Sequence, residues 1–139
     1  IIRAPPRGVS NGAWFGKKAM TGAVGYYSGV AAEQAVMRQY GAVGCATLAE
    51  RWRGGGGEID LILRDPENGG VIFVEVKKAK DFAAAAARLS ARQIGRIMAS
   101  AAQFLGTQPN GQNTDARFDV ALVNDSGAVE ILENAFGQF

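Results

Sequence analysis

The stretch Gly57-Glu58-Ile59-Asp60-Leu61-Ile62-Leu63, followed after a turn by Val71-Ile72-Phe73-Val74-Glu75-Val76-Lys77, decides the fold. Both halves are rich in Ile, Leu, Val and Phe, the composition of a buried sheet. Asp65-Pro66-Glu67-Asn68-Gly69-Gly70 between them carries the residues of a hairpin turn. Side chains alternate faces along a strand, so Glu58 and Asp60 share one face, and Glu75 and Lys77 share one face. A single turn makes the two strands pair antiparallel and brings Asp60 near Glu75. Charges in so apolar a frame are costly to desolvate unless something pairs with them. A divalent cation between Asp60 and Glu75, with Lys77 beside it, satisfies all three.

Taken singly, each residue has a plainer account. Asp60 reads as a solvent-facing acid on a half-wet sheet. Glu75 and Lys77, about 6.6 Å apart along the strand, read as a surface pair worth less than about 1 kcal/mol. The joint pattern favours the metal. Hard oxygen donors suit Mg²⁺ or Mn²⁺, which keeps several waters and needs only one or two carboxylates. Such a cation activates water and offsets charge on an attacked phosphate, and Lys77 is placed to orient or deprotonate that water or to stabilise the oxyanion.

Upstream, a helix is predicted from about Tyr26 or Ser28 to Tyr40, stopped by Gly41. Val30, Glu33, Met37 and Tyr40 form its apolar stripe, so Glu33 is expected to face the core and reach the outer shell of the metal. Its plainer alternative is a salt bridge to a nearby arginine. Cys45 to Arg53 reads as a strand ending in Arg51-Trp52-Arg53, and Gly54 to Gly57 as a mobile loop. Trp52 either stacks on a base or sits in the core with two snorkelling arginines. No Gly-Lys-Ser/Thr follows the glycines, so they are not a phosphate-cradling loop.

Downstream, Lys78 to Asp81 leaves the sheet and Ala83 to Ala87 is a short helix or a loop. Ser90-Ala91-Arg92-Gln93 matches a capping box and opens a helix through Leu105, with Arg92 and Arg96 toward one flank. Thr107 to Ala116 is a polar loop, Arg117 to Val123 and Ala128 to Leu132 are strands, and Asn134 to Phe139 a terminal turn. Arg117 and Asp119 share a strand face and are read as a structural ion pair. The order, helix, three strands, helix, two strands, fits an α/β sandwich with a mixed sheet flanked by helices.

The 139 residues suit one domain, taken as 25–139 after a basic N-terminal segment, 1–24. Arg3, Arg7, Lys17 and Lys18 precede the first acid, Glu33, so the net charge of +2 is carried by that segment. No run approaches the ~20 apolar residues of a membrane span, and no apolar run of signal-peptide type opens the chain. One cysteine, Cys45, and no histidine exclude an internal disulfide, Cys/His zinc sites and every histidine-based mechanism. A reducing cytoplasm is the expected compartment.

Helix Glu33, strand Asp60 and Glu75-Val76-Lys77 together resemble the PD-(D/E)XK nuclease superfamily, the fold of restriction endonucleases and archaeal Holliday-junction resolvases. More closely, Gly57-Glu58-Ile59-Asp60-Leu61-Ile62, Phe73-Val74-Glu75-Val76-Lys77 and Arg117-Phe118-Asp119-Val120 resemble the YraN-like family of small bacterial proteins, over Gly25 to Phe136. The resemblance implies a restriction-endonuclease-like α/β/α sandwich. It also implies Asp60 and Glu75 as metal ligands, Val76 as a further ligand through its carbonyl, Lys77 as the catalytic lysine and Glu33 as an accessory acid. Two positions depart from the pattern. Ile59 replaces the superfamily's proline, and Ala79, between Lys78 and Lys80, stands where the family tends to carry arginine.

The leading expectation is a Mg²⁺- or Mn²⁺-dependent endonuclease cleaving branched or flapped DNA in repair or recombination and, as the resemblance implies, leaving a 5′-phosphate. Arg51, Arg53, Lys78, Lys80, Arg92 and Arg96 are the candidate nucleic-acid contacts. A resolvase-like role favours a homodimer. The alternatives are a non-catalytic module binding DNA or RNA on the same fold, and a structural or protein-interaction domain.

Overall fold

The computed structural model describes residues 24–136. The basic N-terminal segment, but for its last residue, and the final residues 137–139 of the terminal turn lie outside them. Helix α1 spans Val24–Ala42, followed by strands β1 (Ala46–Gly54), β2 (Gly57–Arg64) and β3 (Val71–Lys78). Helices α2 (Phe82–Ala87) and α3 (Ala91–Leu105) come next, then a 3₁₀ turn at Gly111–Asn113, β4 (Ala116–Val123) and β5 (Val129–Leu132).

The five strands form one sheet in the order β1-β2-β3-β4-β5. All neighbours run antiparallel except β3 and β4, which are parallel and joined by the crossover through α2 and α3. That crossover puts α2 and α3 on one face of the sheet, while α1 covers the other. This is an α/β/α sandwich with a mixed sheet, the restriction-endonuclease-like architecture. Strand β3 lies at its centre, which is why Val71 to Glu75 are buried without alternation.

Helix α1 packs on the sheet through Ala32, Ala35, Val36 and Tyr40, against Leu61, Leu63, Ile72 and Val74. The stripe is rotated from the one predicted. The two alanines let the helix lie close to the strands, and Glu33 falls on the half-buried flank rather than facing the core. The helix also runs through Gly41 and ends at Ala42, with Gly44, at φ 93°, reversing the chain into β1. On the other face α3 buries Ile97, Ala101, Phe104 and Leu105 over Ile62, Phe73 and Phe118.

The four glycines are not a mobile loop. Gly54 pairs with Gly57, so Gly55 and Gly56 close a two-residue hairpin. A side chain on Gly56 would collide with the Arg96 carbonyl. The Gln103 side chain accepts the Gly55 N–H at 2.7 Å and the Ser100 hydroxyl donates to the Gly57 carbonyl at 2.8 Å. The glycines are there so that α3 can clamp the β1–β2 hairpin. Trp52 sits in the same core, edge-on to Phe104 with ring centroids 5.3 Å apart, which supports the packing role over base stacking.

Candidate functional site

The site is a fork in the sheet. Strand β2 pairs with β3 from Leu61 to Arg64, whereas its pairing with β1 continues to Gly57. Beyond Leu61, β2 therefore follows β1 and parts from β3, and Asp60 stands where the two separate. Opposite it on β1, Arg51 adopts a left-handed backbone, φ 49°, a conformation uncommon outside glycine. The Asp60 Oδ2 accepts the Val76 N–H at 2.8 Å, taking up a donor that the broken ladder would strand. A strand residue turns its N–H and C=O to the same side, so the Val76 carbonyl also faces the fork.

Glu75 and Lys77, on the α3 side of β3, meet there. The Lys77 Nζ lies 3.0 Å from Glu75 Oε2, and the Glu75 and Asp60 carboxylates are near enough to shift one another's protonation. Burial, reinforced by the charge of Glu75, pushes the Asp60 carboxyl up to about 7, against the pull of the Val76 N–H and Lys77. Burial likewise raises Glu75, which Lys77 and Asp60 partly offset. Two neighbouring, largely buried carboxylates with a single lysine on one of them are short of positive charge.

Glu33 approaches from α1. Its Oε1 accepts the Arg51 Nε at 3.0 Å, and burial raises its carboxyl, with Asp60 and Glu58 adding to the rise. It feels the site's field while being tied to β1. Asp60, Glu75 and Lys77 thus converge as the strand pattern implied, the Val76 backbone, named only by the family resemblance, lies with them, and Glu33 interacts with Asp60 from α1.

The basic residues are less concentrated. Arg51 is engaged by Glu33, and Lys78 lies 3.5 Å from Asp125. Arg53, Lys80, Arg92 and Arg96 are exposed. Ala79 is buried, its N–H on the Val123 carbonyl at 3.0 Å, so this position is a packing site of the β3 exit.

Sequence reasoning missed Gln93. Its backbone N–H is capped by the Ser90 hydroxyl at 3.1 Å, as the capping box required, but its side chain does not turn back to Ser90. The Nε2 instead donates to Glu75 Oε2 at 2.8 Å. A glutamine three residues into a helix is fully accounted for by capping, so nothing in the sequence marked it. Arg117 and Asp119 form the expected ion pair, and Arg117 also reaches Asp65 at 3.6 Å and Glu133 at 3.7 Å. The Tyr40 hydroxyl donates to Asp119 Oδ2 at 2.7 Å on the face opposite Glu75.

Comparison with known proteins adds the family. The model for Uncharacterised protein family UPF0102 matches residues 32–123, a span holding every element of the fork. The chain belongs to the UPF0102 family. This is the YraN family that the motif blocks resemble, and it is of the nuclease-like type. A UPF0102 protein of Cereibacter sphaeroides (strain ATCC 17029) is 58% identical over 117 residues, 84% of this chain and 98% of the relative. One from Ruegeria pomeroyi is 51% identical over 119 residues, covering 86% and 95%. One from Roseobacter denitrificans is 50% identical over 117 residues, covering 84% and 89%. Among the described residues no helix is long and apolar enough to cross a membrane.

Proposed function

We propose that this UPF0102 protein is a divalent-metal-dependent endonuclease that hydrolyses phosphodiesters of DNA at the β2–β3 fork. The observation that carries the reading is the meeting of Asp60, Glu75 and Lys77 at the partly buried fork of the sheet, with the carboxylates pushed toward protonation. Residues kept in so costly an arrangement are characteristic of sites that bind or react.

The donor set fits a hard cation. Asp60, Glu75 and the Val76 carbonyl would supply three oxygens from the fork. Mg²⁺ and Mn²⁺, which retain waters, suit so sparse a set; a zinc site closed by protein ligands does not. When bound, the cation supplies Lewis-acid charge for water activation and for the phosphate. The chain's own residues do the rest. Asp60 keeps its orientation through the Val76 N–H. Lys77, 3.0 Å from Glu75, is placed to turn its ammonium toward the phosphate oxygens or to hold a proton of the attacking water. Glu33 adds negative potential from α1 while Arg51 restrains it.

Arg53, Arg92, Arg96 and Lys80 are exposed cations able to contact the backbone of the nucleic acid, the source of the salt dependence expected of such binding. The test is a panel of linear, flapped, splayed and four-way DNAs incubated with Mn²⁺ or with chelator. The reading predicts metal-dependent cleavage of at least one branched substrate and none with chelator. Binding that ignores metal, with no cleavage of any substrate, would replace the enzyme by a nucleic-acid-binding module on the same fold.

A further inference from the structure

Glu75 Oε2 accepts two donors, Lys77 Nζ at 3.0 Å and Gln93 Nε2 at 2.8 Å, which leaves Oε1 outside both bonds. The two donors differ in kind. Lys77 is a flexible, charged side chain whose proposed task is at the substrate, and any turn toward a phosphate releases Glu75. Gln93 belongs to the first turn of α3, whose start is fixed by the Ser90 cap and whose body is packed into the core through Ile97, Ala101 and Phe104. It is a neutral donor, so it holds a carboxylate without adding a charge that would repel a cation.

From this geometry we infer that Gln93 is a positioning residue of the metal site. It fixes the Glu75 carboxylate with Oε1 presented to Asp60 and a shared cation, and keeps it there when Lys77 turns to the substrate. The inference rests on the metal-dependent reading above and extends it to a helix that the strand motif does not include. Outer partners that orient a ligating group change metal affinity by about 10- to 100-fold when removed. The role is separable from capping, because the Ser90 bond uses the backbone N–H of Gln93 and survives any side-chain change.

The experiment compares the full-length protein with Gln93→Met and Asp60→Asn by calorimetric titration with Mn²⁺ alone, alongside melting curves in chelator. Methionine keeps the length and helix propensity of glutamine and removes its amide, and with it the donor to Glu75. The expected result is Mn²⁺ binding by the unaltered protein, none by Asp60→Asn, and binding about 10-fold weaker by Gln93→Met with its chelator melting point unchanged. Equal Mn²⁺ affinity in Gln93→Met and the unaltered protein would overturn the inference and leave the metal reading standing. A lowered melting point with unaltered affinity would also overturn it, since Gln93 would then be structural. Absence of Mn²⁺ binding by the unaltered protein would remove both.

Discussion

Asp60→Asn is expected to lower metal-dependent cleavage about 100- to 1,000-fold, the scale on which loss of a preorganised electrostatic contact acts, while making the metal-free protein more stable at pH 8. Asparagine keeps the shape of the side chain and an oxygen to accept the Val76 N–H, now at 2.8 Å from Asp60 Oδ2. What it removes is a charge that the fold holds at a cost. Burial and Glu75 raise the Asp60 carboxyl to about 7, above its unfolded value near 3.8, so the folded protein binds this proton more tightly than the unfolded chain. The contribution to stability is then fully present below the unfolded value and declines as pH rises through the folded one. Melting curves in chelator from pH 4 to 8 should show the unaltered protein losing stability as pH rises to about 7 and levelling off above it, with Asp60→Asn losing less. A variant that cleaves at the original rate, or that melts well below the parent at every pH, would contradict this assignment.

Asp119→Ala is expected to cost about 3–5 kcal/mol, the loss typical when one partner of a buried ion pair is deleted. Its side chain is fully buried and accepts from Tyr40 Oη at 2.7 Å, from Arg117 Nε at 3.1 and 3.2 Å, and from the Asn134 N–H at 2.9 Å. Removal leaves the buried Tyr40 phenol and the Asn134 N–H without their acceptor, strips Arg117 of its nearest carboxylate while Asp65 at 3.6 Å and Glu133 at 3.7 Å remain, and unties α1, β4 and the terminal turn at a single point. Burial, with the Asp119 charge behind it, holds the Tyr40 hydroxyl far above its ordinary range, so it remains a donor at any working pH. Tyr40→Phe should cost less, about 1.5–3 kcal/mol for one bond to a charged acceptor, because Asp119 keeps Arg117 and Asn134. For a domain whose whole stability is about 5–15 kcal/mol, thermal melts should separate the two variants clearly. An Asp119→Ala protein melting with the parent would show that the network contributes nothing net.

The hairpin around Asp60 and Glu75 was legible because its apolar alternation, its turn and its charges lie within one short stretch of chain. Even so, the fork was not, because the end of a ladder depends on where β1 leads β2 and not on any residue of the hairpin. The glycines at 54–57 announced a special backbone but not its cause, since the close neighbour is α3, some forty residues on. The rotated stripe of α1 had a similar origin: Ala32 and Ala35 look unremarkable by hydropathy, yet their small size sets the approach to the sheet. Arg117 and Asp119 could be paired by strand spacing, whereas Tyr40, 79 residues away from Asp119, could not. Gln93 was hidden by its own sufficiency as a cap. Arg51, expected at the nucleic acid, is held by Glu33 across two elements that no local pattern connects.

The central claim is that the fork holds one divalent cation between Asp60 and Glu75. Crystals grown or soaked with Mn²⁺ and measured for anomalous scattering test it most directly. A single strong peak about 2.1 Å from an oxygen of each carboxylate is the predicted result. A map with no peak at the fork, or with manganese bound only elsewhere on the molecule, would contradict it.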